Sequence, residues 1–102
     1  MTTLDRAWLE TIFPDPDELE DVIAEGVEDI AHPAAELRRA IESNDRDAAA
    51  EIAHRIKGVA ANIGARRTSA CAAALEAAAR DDVALPPLLL ALNAAVDALA
   101  DA

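Results

Sequence analysis

Aromatic residues are almost missing from this sequence of 102 residues, which contains no tyrosine, one tryptophan and one phenylalanine. Glycine is also scarce, with three residues, whereas alanine dominates the hydrophobic 53%. Strands draw on β-branched and aromatic residues, while alanine, leucine, glutamate and arginine favour helices. The composition therefore predicts an all-α protein, and the length predicts one domain, residues 1–102, with a single modest core.

Basic residues are few, because nine lysines and arginines stand against 20 acidic residues and the net charge is −11. Such a chain lacks the dominant basic face that nucleic acids require, so nucleic-acid binding is excluded. The charge is uneven, however. Residues 46–80 contain six basic and three acidic residues, a local balance of +3. This region suits an anionic group or an acidic partner.

The sequence has a single cysteine and shows neither a signal-peptide pattern nor a long apolar run. Cys71 is the single cysteine, so it cannot form an internal disulfide, and we expect a small buried apolar residue there. The N-terminus lacks the basic-then-apolar pattern of a signal peptide, and no apolar run approaches the length of a membrane span. We expect a cytoplasmic protein without a membrane partner, and Met1 with a capped first helix favours a free-standing domain.

Two helices are predicted in the first half of the chain. The first covers residues 4–12, is capped by Thr2 or Thr3, and has an apolar face formed by Leu4, Trp8 and Ile12. The second begins at Pro16 after an Asp15 N-cap and keeps helical period to Glu42, with a kink at Pro33.

Three helices are predicted in the second half. They cover residues 45–63, residues 65–80, and a last segment that begins at Pro86. Ser43 or Asn44 caps the first of these, and Gly64 ends it. Because the turns are short, we expect an antiparallel up-down four-helix bundle with a short additional N-terminal helix packed over one end.

One histidine faces away from the expected core. At 100° per residue, the third helix places four aliphatic residues on one stripe: Ile52, Ile56, Val59 and Ile63. His54, Lys57, Gly58 and Ala61 lie on the opposite side. A glycine within a helix costs about 1 kcal/mol relative to alanine, so Gly58 indicates close approach by another molecule. The alternative is that His54 is one more polar residue on a solvated face.

An exposed imidazole of this kind can carry a phosphoryl group. A neutral ring is a competent nucleophile near pH 7. Reversible phosphoryl transfer also needs a nearby cation and a partner that fixes the ring tautomer. Lys57, three residues after His54, can supply the cation. Glu76 flanks the core face of the fourth helix and is a candidate to orient the ring.

These residues form a pattern that resembles the histidine-containing phosphotransfer (HPt) domains. Their signature reads alanine-histidine-x-leucine/isoleucine-lysine-glycine with a further glycine six residues on, which matches Ala53 to Gly58 and Gly64. The capped second helix, its internal proline, the asparagine-aspartate turn and Leu75-Glu76 also have counterparts in that family. The resemblance covers most of the chain, residues 51–76 most specifically.

The resemblance implies a phosphocarrier of a multistep two-component phosphorelay rather than a self-sufficient enzyme. His54 would be the phosphoacceptor, Lys57 its phosphate-facing cation, Glu76 the ring-orienting residue and Gly58 the gap that admits the partner. The partners would be response-regulator receiver domains and a hybrid histidine kinase. The receiver would bring Mg²⁺, so no cofactor or metal site is expected in this chain.

We predict the surface that contacts the receiver from the surroundings of His54. It comprises these residues: Arg55, Gly58, Ala61, Ala65, Ile12 and Phe13. Two other functions compete with phosphotransfer. A phosphorylation-independent helical adapter would use the arginines as docking charges. A metal-binding bundle is disfavoured, since His54 has no second ligand at i+3 or i+4 and His32 is far along the chain.

Overall fold

Five α-helices make up most of the computed structural model, which describes residues 4–100. No strand occurs within those residues, so the all-α prediction is confirmed. The helices are α1 (Arg6–Ile12), α2 (Pro16–Glu42), α3 (Arg46–Asn62), α4 (Arg66–Arg80) and α5 (Pro86–Ala100). The predicted helix boundaries agree with the observed ones to within two residues. Helix α2 continues through Pro33 as one helix.

Aspartates begin the first three helices. Asp15 caps α2 as predicted, because its carboxylate accepts a hydrogen bond from the Asp17 backbone N–H. Asp45, rather than Ser43 or Asn44, caps α3 by accepting from the Ala48 N–H at 3.1 Å. Ser43 instead turns back to bond the Arg39 carbonyl, and Asn44 has a positive φ of 59°, so both belong to the end of α2.

The first helix differs from its predicted form. Asp5 is its N-cap, accepting from the Trp8 backbone N–H, and the predicted caps Thr2 and Thr3 lie outside the described residues. Leu9 is fully buried, whereas Trp8 and Ile12 are 41% and 49% exposed. The predicted inner face was therefore wrong for both. A helix of seven residues contacts the bundle over little of its length, so local packing decides which side is buried.

Helices α3 and α4 share the most extensive contact in the described part of the chain. Alanines line much of this interface, and Ala53, Ala60 and Ala72 are fully buried. Because alanine adds only a methyl group, the two backbones approach closely. The end of α4 lies beside the start of α3. The Arg46 guanidinium, at the start of α3, donates hydrogen bonds to the carbonyls of Ala78 and Ala79 at the end of α4. The two helices are therefore antiparallel.

The remaining packing completes the core around this pair. Helix α2 packs on α3, α5 packs on α4 and α2, and α1 contacts α2. Gly64 has a φ of +69° and ends α3 as predicted, while Cys71 is only half-buried and packs against the core. None of the helices in the described residues has the length and apolar character needed to cross a membrane.

Candidate functional site

The imidazole of His54 lies on the outer side of α3, with 66% of its side chain exposed. The core side of the helix is fixed by its aliphatic stripe, because Ile52, Ile56 and Ile63 are buried and Val59 is half-buried. His54 therefore points away from the core by the helical period alone, as the sequence predicted.

Glu76 on α4 contacts the ring. Its Oε2 lies 3.0 Å from His54 Nδ1, and its Oε1 accepts a hydrogen bond from Lys57 Nζ at 3.1 Å. The three residues that the sequence singled out for phosphoryl chemistry thus meet at one point between α3 and α4. The glutamate side chain is only 7% exposed, so its contacts with the ring and the lysine are partly shielded from water.

The Glu76 carboxylate is ionised at neutral pH. Burial by itself raises the pKa of this carboxyl, but the hydrogen bond and charge of Lys57, and then the charges of Arg80 and His54, lower it to below its ordinary value of 4.5. An ionised carboxylate can only accept hydrogen bonds. His54 Nδ1 must therefore carry the hydrogen in this contact, and in a neutral ring the lone pair is left on Nε2.

Arg80 is a fourth member of this cluster that the sequence analysis did not assign to the site. Its Nη2 lies 3.0 Å from Glu76 Oε2, the same oxygen that contacts His54. Glu76 and Arg80 are four residues apart on α4, which is the spacing at which oppositely charged side chains meet on a helix. The i,i+4 spacing is the feature of the sequence from which the ion pair between Glu76 and Arg80 could have been predicted.

Gly58 lies one turn beyond His54 with open space beside it. A Cβ built on this glycine would have no heavy atom within 4 Å, apart from its own helical backbone and neighbours. Packing inside the protein therefore does not require glycine here, although glycine weakens the helix. Gly26 is the contrasting case, because a Cβ there would lie 2.6 Å from Ile63 Cγ2.

A groove lies two turns from His54 on the same side of α3. It has a volume of about 380 Å³, and it is lined by Trp8, Ala61, Gly64, Arg66, Ser69, Ala70 and Ala73. Ala61 is seven residues after His54, so it lies almost directly above the histidine along the helix. Ser69 connects the groove to the site, since its hydroxyl donates to the Lys57 carbonyl at 3.3 Å.

The other predicted contact residues are distributed less tightly. Arg55 is exposed but faces α2, where it lines a separate cavity with Glu28 and Asp29. Ile12 is exposed and Phe13 is half-buried at the end of α1. Ala65 is completely buried, so its prediction as a partner-contacting residue was wrong. It precedes α4 immediately, and its side chain belongs to the core.

The basic residues near the site are mostly bound within the protein. Arg46 bonds the end of α4, Arg66 pairs with Asp5 at 2.7 Å, and Lys57 and Arg80 pair with Glu76. The local positive balance thus serves internal contacts more than the sequence alone indicated. Within residues 4–100 no group of three histidine, cysteine, aspartate or glutamate side chains is placed to hold a metal ion.

Comparison with known proteins identifies the family. The family model described as Hpt domain matches residues 17–102, which is most of the chain. Searches of curated proteins and of solved structures gave no significant match. The matched range includes the helix that bears His54 and the helix that bears Glu76. The chain therefore belongs to the Hpt domain family, whose members act in histidine phosphotransfer within phosphorelays.

Proposed function

We propose that this protein is a phosphocarrier that moves a phosphoryl group between the aspartates of receiver domains through His54. The observation that carries the proposal is the hydrogen bond between His54 Nδ1 and the ionised Glu76, at 3.0 Å, on a ring that is 66% exposed. This arrangement leaves the Nε2 lone pair available to a partner.

The transfer step follows from that tautomer. His54 Nε2 attacks the phosphorus of a receiver's aspartyl phosphate, the N–P bond forms as the P–O bond breaks, and the electron pair leaves with the aspartate carboxylate. The phosphorylated ring carries a positive charge, which the Glu76 carboxylate stabilises through Nδ1–H. Attack by the aspartate of a second receiver reverses the step. The receiver supplies the aspartate and Mg²⁺.

Lys57 has a double role in this proposal. Its ammonium bonds Glu76 at 3.1 Å, and about a third of its side chain is exposed. It lies three residues after His54, so its flexible four-carbon stem can carry the ammonium to phosphoryl oxygens on the ring. Lys57 thus compensates the Glu76 charge before transfer and the phosphoryl charge afterwards.

The surface we propose for the receiver extends from His54 over Gly58 and Ala61 to the groove beside Trp8. Its support is that these residues lie along one line of α3 and that nothing in the protein needs Gly58 to be small. Ile12 remains a candidate at the far edge. Arg55, which faces the α2 side, would contact only a partner that also reaches that side of α3.

The bundle arrangement that supports this surface is also part of the proposal. Three-residue turns join α2 to α3 and α3 to α4, and five residues join α4 to α5. Short connections between helices that pack on each other favour an antiparallel up-down order for all four long helices. In that order α3 and α4 present His54 and Glu76 midway along the bundle.

Phosphotransfer from a phosphorylated receiver tests the function directly. The protein should acquire a phosphoryl group that is labile in acid and stable in alkali, and His54→Gln should abolish it. His32→Gln is the matched control, because His32 is the other histidine, is exposed and lies on α2. Failure to accept phosphate from every receiver of the source cell, or equal labelling of His54→Gln, would contradict the proposal. Biological activity that persists in His54→Gln would support a phosphorylation-independent adapter instead.

A further inference from the structure

One carboxylate holds three side chains at this site. Glu76 Oε1 bonds Lys57 Nζ at 3.1 Å, while Glu76 Oε2 contacts both His54 Nδ1 and Arg80 Nη2 at 3.0 Å. Lys57 comes from the same helix as the histidine, whereas Arg80 comes from the same helix as the glutamate. The carboxylate therefore has one cation on each oxygen, and the two cations belong to different helices.

The two cations differ in what they can reach. Lys57 is three residues from His54 and can turn toward the ring. Arg80 is held at the i+4 position of Glu76, and its planar guanidinium is 63% exposed on α4. Phosphorylation adds up to two negative charges beside the ring, which attract the flexible cation that lies on the same helix as the ring.

Movement of Lys57 toward the phosphoryl group has a consequence for Glu76. The carboxylate is almost buried, and a buried charge that loses its partner is strongly disfavoured. With Arg80 in place, the charge of Glu76 stays compensated after Lys57 leaves. Without Arg80, the phosphorylated ring would be the one positive charge left beside the carboxylate, and Lys57 would be held there more strongly.

We propose that Arg80 is a positioning residue that holds the charge of Glu76 so that Lys57 can move from the carboxylate to the phosphoryl group on His54. This inference rests on the proposed phosphotransfer through His54. Arg80 acts through Glu76 and touches neither the phosphoryl group nor the reacting nitrogen.

The first test is a double-mutant cycle measured as the rate of phosphotransfer from a phosphorylated receiver. Arg80→Gln should slow transfer about fivefold, the factor expected for one partly exposed ion pair to a buried charge, and Arg80→Lys should recover most of the rate. In the Glu76→Gln background, Arg80→Gln should have no further effect, because there is no charge to compensate. Arg38→Gln is the matched control, since Arg38 is similarly exposed and pairs with Glu42 at the same helical spacing.

The outcomes separate the inference from the function. If wild type accepts phosphate and Arg80→Gln matches it within twofold, Arg80 has no such role and the phosphocarrier proposal stands. If the effects of Arg80→Gln and Glu76→Gln multiply, Arg80 acts independently of Glu76, as a docking residue would, and the inference is wrong. If wild type accepts no phosphate while His54 and Glu76 are intact, the proposed function itself fails.

A second readout follows the lysine directly. Phosphoramidate, a small chemical phosphoryl donor, can phosphorylate an exposed histidine without any receiver. In wild type, the NMR signal of the Lys57 side-chain ammonium should shift when His54 is phosphorylated. In Arg80→Gln, the Lys57 signal should have the same position before and after His54 is phosphorylated. An equal shift in both proteins would overturn the inference.

Discussion

The proposed chemistry of the site depends on Glu76. Its carboxylate fixes the hydrogen on His54 Nδ1 and gathers Lys57 and Arg80 around one point. A glutamate among alanines on a helix that faces the core would be costly if it were unpaired. Here each oxygen has at least one partner with a hydrogen to donate, and the charge is retained.

The lowered pKa of Glu76 predicts a specific dependence of stability on pH. Because the pKa is lower in the folded state, the stabilisation is fully present above about pH 4.5 and is lost as the pH falls through the folded-state value. At pH 7 wild type should exceed Glu76→Gln by about 1 kcal/mol in free energy of unfolding, a modest figure because the cations are partly exposed. Urea unfolding at pH 7 and pH 3 measures the free energy of unfolding of wild type and of Glu76→Gln.

Comparison with the variant is needed because the other acidic residues also titrate in this range. The difference in free energy of unfolding between wild type and Glu76→Gln should be smaller at pH 3 than at pH 7. A difference that stays constant, or grows, as the solution is acidified would show that the charge of Glu76 does not contribute to the folded state in the way described.

At the scale of the helices, two glycines make a matched pair. Gly58 has open space beside it, so Gly58→Gln should raise the free energy of unfolding by about 0.5–1 kcal/mol through helix propensity. The same variant should transfer phosphate at least several-fold more slowly, because its side chain fills the surface proposed for the receiver. Stability and transfer should therefore change in opposite senses.

Gly26→Ala is the control for Gly58→Gln. The added Cβ would come 2.6 Å from Ile63 Cγ2, so the Ile63 side chain would have to shift, and the free energy of unfolding should fall by about 1–3 kcal/mol. Transfer per folded molecule should stay near wild type, since Gly26 is buried away from His54. Chemical denaturation measures the free energy of unfolding of the two glycine variants, and the transfer assay measures their rates of phosphotransfer. A Gly58→Gln protein that transfers at the wild-type rate would refute the proposed surface.

The helices themselves were predictable because their signals are local. Aspartate caps, Pro16, Gly64 and the aliphatic stripe of α3 all act within a few residues. The identity of a cap among adjacent candidates was harder. Ser43, Asn44 and Asp45 are all suitable, and only the path of the chain makes Asp45 the residue whose carboxylate meets the Ala48 N–H.

The details of tertiary contact could not be derived in the same way. Trp8 was placed inward by its apolar character, but the bundle has its core position at Leu9. Arg46 contributed only to a charge count until its guanidinium was found on the carbonyls that end α4. The contact between His54 and Glu76 was expected, because alanines let α3 and α4 approach closely and so bring the flanks of the two helices together.

At the scale of the whole molecule, a strongly acidic protein places two of its few basic side chains at the interface between α3 and α4. The chain has a net charge of −11, yet Lys57 and Arg80 converge on a single carboxylate beside His54. The fold thus supplies an exposed ring with a fixed tautomer, and it keeps two cations within reach of it. These are the properties that the proposed phosphocarrier needs.

Glu76 is expected to direct the phosphoryl group to one nitrogen of His54. Nitrogen-15 NMR of the phosphorylated protein, with long-range proton–nitrogen correlations of the imidazole ring, identifies the modified atom. We predict phosphorylation at Nε2, with the hydrogen retained on Nδ1. A phosphoryl group on Nδ1, or on any residue other than His54, would contradict this account of the site.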